Sequence, residues 1–187
     1  MSPLAAPTSR RTLLGASAAG ILLAGCGGSS GSTTHGSNAS SPPPTTADVA
    51  ILNGVLALEY HSAAAYTAAI PLLSGRTQKA AKQFLGQDLA HGGKLWGLIK
   101  KARGKPVEAL GSYDLGRPRN TMELLALLHS VEANVVAGYL QAIPKLSQGK
   151  ARADVASILA NEAQHVSVLR AKLRLEPVPS ALVSGHE

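Results

Sequence analysis

The sequence is poor in several residue types: one cysteine, one phenylalanine, one tryptophan and only 11 acidic side chains among 187 residues. Each shortage excludes something. A lone Cys26 cannot close an internal disulfide, so a folded domain must be held by its apolar core or by bound metal. With only Phe84 and Trp96 as large flat rings besides four tyrosines, and no run of Lys or Arg longer than two, the chain lacks the stacking platforms and basic stripe of a nucleic-acid binder, despite a formal charge of +7. No stretch from Asp48 onward alternates apolar and polar residues, which argues against strands. The uncharged apolar run from Leu13 to Ala24 is shorter than the ~20 residues a bilayer span needs.

That run instead follows a twin-arginine pattern, Ser9-Arg10-Arg11-Thr12-Leu13-Leu14, and reads as the apolar part of an export signal. It ends in Leu23-Ala24-Gly25-Cys26, which resembles a bacterial lipobox, so Cys26 is expected to be lipidated and to become the mature N-terminus. Residues 1–26 are thus assigned to a twin-arginine, lipoprotein-type signal, and residues 27–47, rich in Gly, Ser, Thr and Pro, to a tether with too few apolar groups to order itself. The expected location is the outer face of the cell membrane, held by a lipid anchor. Losing Arg10 and Arg11 lowers the formal charge from +7 to +5. A basic side chain close to an anionic headgroup layer adds only ~1 kcal/mol, so the charge is a minor aid to anchoring.

What the chain does contain is one half-sequence written twice. Glu59, Tyr66, Ile70, Pro71, Leu73 and Ser74 recur 73 positions later as Glu132, Tyr139, Ile143, Pro144, Leu146 and Ser147. Gly75, Leu85, Asp88, His91 and Leu95 recur at an offset of 74 as Gly149, Leu159, Glu162, His165 and Leu169. Apolar residues follow a period near 3.6 throughout, predicting four helices: one after Asp48 as N-cap, one over Thr77 to Arg103, one from Asn120, and one over Lys150 to Arg174. Short links at Ser74-Gly75 and Gln148-Gly149 make antiparallel hairpins. The Gly- and Pro-containing stretch from Gly104 to Arg119 is long enough to cross the bundle. The fold expected for residues 48–175 is therefore all-α, an antiparallel four-helix bundle of two helical hairpins joined by a long crossover, followed by a tail over residues 176–187. Pro71 and Pro144 are expected to kink the first and third helices near their ends.

The helical period puts Glu59, Asp88, His91, Glu132, Glu162 and His165 on the core-facing sides. A dinuclear carboxylate centre needs a glutamate from each of two helices and an acid-x-x-His from each of the other two, and the chain supplies them in that order. Four buried carboxylates repel one another, and two divalent cations would offset them; oxygen and imidazole donors suit iron or manganese. Tyr66 and Tyr139, two turns beyond the glutamates on the same faces, are placed to hydrogen-bond ligand carboxylates or simply to pack. His61 and His129 lie beside the acids without matching the pattern and are read as non-ligands; Trp96 is read as packing, and His35 and His186 as tail residues.

These motifs resemble the ferritin-like superfamily, and within it the exported bacterial ferritin-like domain proteins, over about Asp48 to Leu175 and including the tail motif Glu176-Pro177-Val178-Pro179. The resemblance implies that the six residues are metal ligands for two iron or manganese ions, and that the protein oxidises Fe(II) or consumes oxidants. A closed storage shell is not expected, because a lipid tether on every subunit would obstruct it; the oligomeric state and protein partners stay open. Two departures fall in the first copy. Asp88 stands where the family has Glu and reaches one methylene less far, and Gly92-Gly93 each weaken the helix by ~1 kcal/mol relative to Ala. The second copy is therefore expected to dominate binding. The alternative reading is a metal-free bundle acting as a binding or structural module of the envelope, and a third is metal sensing without turnover.

Overall fold

The structure, a computed structural model, describes residues 44–147 and 149–186; the segment expected to be an export signal, Cys26, and the part of the expected tether before Pro44 lie outside the described residues. Four helices make up the domain: α1 Thr46–Ala69, α2 Gly75–Lys101, α3 Thr121–Ala142 and α4 Gly149–Lys172. No strand occurs among the described residues, and none of their helices is long and apolar enough to cross a membrane. α1 starts three residues earlier than the sequence suggests. Its N-cap is Thr45, not Asp48, and Asp48 closes a capping box by accepting the Thr45 backbone N–H at 2.8 Å.

Asp48 is free to do more because it is not the cap. It is buried, and its two oxygens also accept the Ser147 backbone N–H at 2.8 Å and the Ser147 hydroxyl at 2.7 Å. Burial alone would raise its pKa, but these donors outweigh that and hold it below the ordinary carboxylate value. The start of the first hairpin is thereby fastened to the turn of the second.

Pro71 and Pro144 do not kink their helices. Each occupies the first turn of a short 3-10 segment, Ile70–Leu72 and Ile143–Lys145, that closes α1 and α3, since a proline there lacks only an N–H that the helix end can spare. The two hairpins pack with α1 against α3 and α2 more lightly against α4. Register fixes their directions: Tyr66 of α1 meets Glu132 of α3, whereas Tyr139 meets Glu59, so α1 and α3 run antiparallel. With each hairpin antiparallel, α2 and α3 run the same way, and the crossover must travel the length of the bundle. Asn53 of α1 holds it in place by donating to the Lys105 carbonyl at 3.0 Å and accepting from the Val107 N–H at 2.8 Å.

The core is divided. One apolar cluster includes Leu52, Leu56, Leu95, Ile99 and Val155; the other includes Ala65, Phe84, Leu125, Leu128 and Leu169. The layer between them is polar and charged.

Helices α2 and α4 both stop with an arginine in the left-handed region, Arg103 at φ 58° and Arg174 at φ 62°, where glycine is the usual occupant. The Gly104 N–H returns to the Ile99 carbonyl at 2.9 Å in the manner of a Schellman turn. A left-handed non-glycine residue costs ~1 to 2 kcal/mol, part of which glycine recovers against its own chain entropy. Arg103→Gly should therefore raise the unfolding midpoint by roughly 2 to 4 °C, for about 0.5 to 1 kcal/mol gained. Differential scanning calorimetry would check this, and a lower midpoint would show that the arginine side chain contributes more than its backbone costs.

Candidate metal centre

The helical period carries Glu59 on α1, Asp88 and His91 on α2, Glu132 on α3, and Glu162 and His165 on α4 into one layer. All four carboxylates and His165 are no more than 1% exposed, and the His91 side chain is 13% exposed. Their ligand atoms form two overlapping groups, each converging within 4.8 Å: Glu59, Asp88, His91 and Glu162 in one, and Asp88, Glu132, Glu162 and His165 in the other. Asp88 and Glu162 belong to both. The shorter reach expected of Asp88 does not keep it out of either group, because α1 supports it: the Ser62 hydroxyl donates to Asp88 Oδ2 at 2.8 Å.

The tyrosines are exchanged between the copies. Tyr66 donates to Glu132 Oε1 at 2.7 Å, and Tyr139 donates to Glu59 Oε1. Burial, then the facing glutamate, pushes each phenol well above its ordinary pKa, so both remain protonated donors. Each glutamate thus has one oxygen held by a tyrosine and one, Oε2, buried without a hydrogen-bond partner. Asp88 Oδ1 is likewise buried without a hydrogen-bond partner, whereas the two oxygens of Glu162 each face an imidazole nitrogen.

The imidazoles point into the same space. His165 Nδ1 lies 3.1 Å from Glu132 Oε1, 3.0 Å from Glu162 Oε2 and 3.7 Å from Asp88 Oδ1. One N–H cannot satisfy three carboxylates. The other ring nitrogen, Nε2, is 2.9 Å from the Gln87 amide oxygen on α2, which can only accept; Nε2 therefore carries the proton, and Nδ1 is left to hold either a proton or a metal ion. Phe84 stacks on the same ring at 4.1 Å between centroids. His91 Nδ1 makes the matching approach, 2.5 Å from Glu162 Oε1 and 3.7 Å from Glu59 Oε2. The donor set fits divalent iron or manganese: hard carboxylate oxygens and imidazole, several buried and unpaired, arranged around two points.

Gln87 and Ser62 were not distinguished by the sequence pattern. Gln87 had a faint signal, since an amide also precedes the acid in the second copy, at Asn161. The remaining singled-out residues lie elsewhere. His61 stacks on Tyr113 of the crossover at 5.4 Å, and neither it nor His129 joins a ligand group. Trp96 is 48% exposed and so is not the packing residue expected; Lys100 sits over its ring at 5.6 Å.

Without metal, protons and ion pairs must balance the charge. Burial, reinforced by the neighbouring Glu132 and Glu162 charges, raises Asp88 to about 8, and burial raises Glu132 to about 7 despite the His165 hydrogen bond. Burial disfavours the charged imidazoles, but hydrogen bonds to Glu162 and Glu59 raise His91 to about 9, and those to Glu132 and Glu162 raise His165 to about 10. Burial opposes ionisation of Glu162 too, yet both imidazoles hold it down at about 2.

The sign follows. The four raised groups contribute stability that is fully present below their ordinary pKa values and lost as pH rises through about 7 to about 10; Glu162 contributes above the ordinary carboxylate range and loses it only as pH falls toward about 2. The unfolding midpoint of metal-free protein should thus fall from about pH 6 to about pH 10, while the increment added by Mn(II) grows, because metal replaces protons. Thermal melts with and without Mn(II) test this; a midpoint that climbs across the window in metal-free protein would contradict it.

The chain matches the ferritin-like domain family over residues 47–175. A search among curated proteins returns no match. Among solved structures, a conserved hypothetical protein from Mycobacterium tuberculosis is similar at a TM-score of 0.66 and 16% identity, covering 73% of this chain and 97% of that one. That likeness speaks for the fold alone. A ferritin-like diiron-carboxylate protein from Bacillus anthracis gives a TM-score of 0.49 and 15% identity, covering 68% of this chain and 90% of that one.

Proposed function

The chain belongs to the ferritin-like domain family, and from that premise we propose that it binds two iron or manganese ions and oxidises Fe(II) or consumes oxidants as an exported protein lipid-anchored through Cys26. The observation that carries the reading is the pair of overlapping carboxylate and histidine groups whose buried oxygens outnumber the donors that face them. A metal-free module would have to hold protons on buried carboxyls such as Asp88 and Glu132 to offset the charge, since an uncompensated ionised group in such a layer costs several kcal/mol. Export and anchoring rest on the twin-arginine and lipobox patterns of the sequence. Export of an already folded chain suits a domain whose metal ligands come from all four helices.

Glu59, Asp88, His91 and Glu162 would hold one ion, and Asp88, Glu132, Glu162 and His165 the other, with Asp88 and Glu162 shared. Bound iron or manganese supplies redox chemistry and the positive charge that the four acids require. The protein groups do the rest. Tyr139 and Tyr66 fix the inner glutamates in orientation, Ser62 fixes Asp88, and Gln87 keeps the Nε2 proton on His165 so that its Nδ1 faces the acids. The apolar clusters flank the layer on both sides, and the groups within it placed to take up or release protons are Nδ1 of each histidine, Asp88 and Glu132.

Sharing sets a stoichiometric pattern. Measured by mass spectrometry after reconstitution, Asp88→Ala and Glu162→Ala should each lose both ions, whereas Glu59→Ala or His91→Ala should lose one and Glu132→Ala or His165→Ala the other. The starting protein retaining no stoichiometric iron or manganese would end the metal reading. Gln87→Leu leaves every ligand in place and should weaken binding by about 10- to 100-fold; unchanged affinity would mean that Gln87 does not orient His165. Admitting oxygen to the anaerobic Fe(II) form then reads turnover by absorbance, and Fe(II) that stays reduced would leave binding without oxidation.

A further inference from the structure

The two halves of the site differ in how they meet the surface. A cavity of about 130 Å³ opens between α1 and α2, with Glu59 and Asp88 among its lining residues and Ala63, Leu89, Gly92 and Trp96 around them. Gly92 and Gly93 give it room: a Cβ at Gly92 would sit against Leu56 at 3.7 Å and Glu59 at 4.0 Å, and one at Gly93 would meet nothing within 4 Å. The repeat supplies the comparison. Positions 92 and 93 correspond to Val166 and Ser167 of α4, and Leu89 to Ala163. There the helix carries side chains, and Pro177, Val178, Pro179, Leu182 and Val183 of the tail lie beside Ala163, Val166 and Ser167 around a smaller cavity of about 70 Å³ that none of the six carboxylate and histidine residues lines. At this place the cavity reaches the carboxylate layer in the first hairpin, and in the second, where the tail lies alongside, it does not.

We propose that Gly92 and Gly93 hold open a one-sided entrance through which small uncharged molecules, dioxygen and peroxide among them, reach the Glu59 and Asp88 carboxylates; this rests on the metal-binding reading for its purpose but not for its geometry. Glu59 and Asp88 are the two carboxylate residues that line it. The walls select for neutral ligands. Ala63, Leu89, Tyr60 and Trp96 carry no formal charge, and one indole N–H and one phenol hydroxyl are too few to replace the hydration shell of a passing ion, whereas a mainly apolar cavity of this size accepts xenon or other small neutral species. The glycines, which weaken α2 as a helix, are thus the residues that shape access.

Xenon tests the opening in the metal-free full-length protein. Under xenon pressure the methyl resonances of Ala63 and Leu89 should shift; the shift should be largely lost in Gly93→Leu and reduced in Gly92→Ala, and retained in Gly97→Leu, where an added Cβ also meets nothing within 4 Å but does not line the cavity. All three replacements favour the helix, so loss of folding does not confuse the result. No response in the starting protein, or an undiminished response in Gly93→Leu, overturns the entrance whatever the metal content proves to be. With Fe(II) bound, the association rate of nitric oxide should fall about tenfold in Gly93→Leu at unchanged iron content; an unchanged rate also overturns it. A protein that binds no iron would instead defeat the metal reading while the xenon response still decides the entrance.

Discussion

Everything in this bundle accommodates one electrostatic demand: four carboxylates in a buried layer with only two imidazoles to face them. In a dry interior such a layer is tolerated only where every charge has a counter-charge or a donor. The fold supplies donors from every helix: Tyr66 and Ser62 from α1, His91 from α2, Tyr139 from α3 and His165 from α4, whose Nε2 proton Gln87 accepts. It does not supply enough. The oxygens left over fall in two groups that could each hold a cation, which distinguishes this layer from a polar defect between two apolar clusters.

The repeat explains how so many groups could be placed together. An antiparallel pairing of α1 with α3 brings the Glu of each copy opposite the Tyr of the other, so a single duplicated segment provides both halves of both hydrogen bonds. The copies differ at paired positions. Where the first has the short Asp88, it also has Ser62, while the second has Glu162 and, at the position matching Ser62, the apolar Val135. Ser62 donates to Asp88, so the lost methylene and the gained hydroxyl fall on the same carboxylate, and Asp88 stays in both ligand groups. Reading Asp88 as a weakened ligand in isolation misses this, because the compensating residue lies on another helix.

That limit is general for this chain. Helix number, hairpin pairing and the six inward residues were legible because they depend on periodicity and on an internal repeat, both properties of the linear sequence. Helix boundaries were legible only to within a few residues: Thr45 rather than Asp48 caps α1, since Asp48 is recruited by Ser147, 99 positions away. Pro71 and Pro144 end their helices instead of bending them, because the adjoining turn comes immediately. Ser62 and Gln87 carried no pattern of their own, since a serine or glutamine on a helix is ordinary until the partner helix is in place. Trp96 was misjudged for the opposite reason: its size suggests burial, but the glycines beside it leave α1 and α2 with an open groove rather than a packed seam.

The asymmetry between the halves then acquires a physical meaning. Gly92 and Gly93 lower helix propensity next to a ligand pair, which by itself would loosen the site. Yet Asp88 and His91 immediately before them are held by Ser62 and by Glu162, so rigidity at the ligands does not depend on the glycines. What the glycines change is the surface above: α2 loses side-chain bulk where α4 has Val166 and Ser167 and is overlaid by the tail. A centre buried on all sides would be safe from water but closed to reactants, and one open on both sides would surrender the low dielectric that its ion pairs need. One covered half and one open half satisfies both requirements with the same repeated backbone.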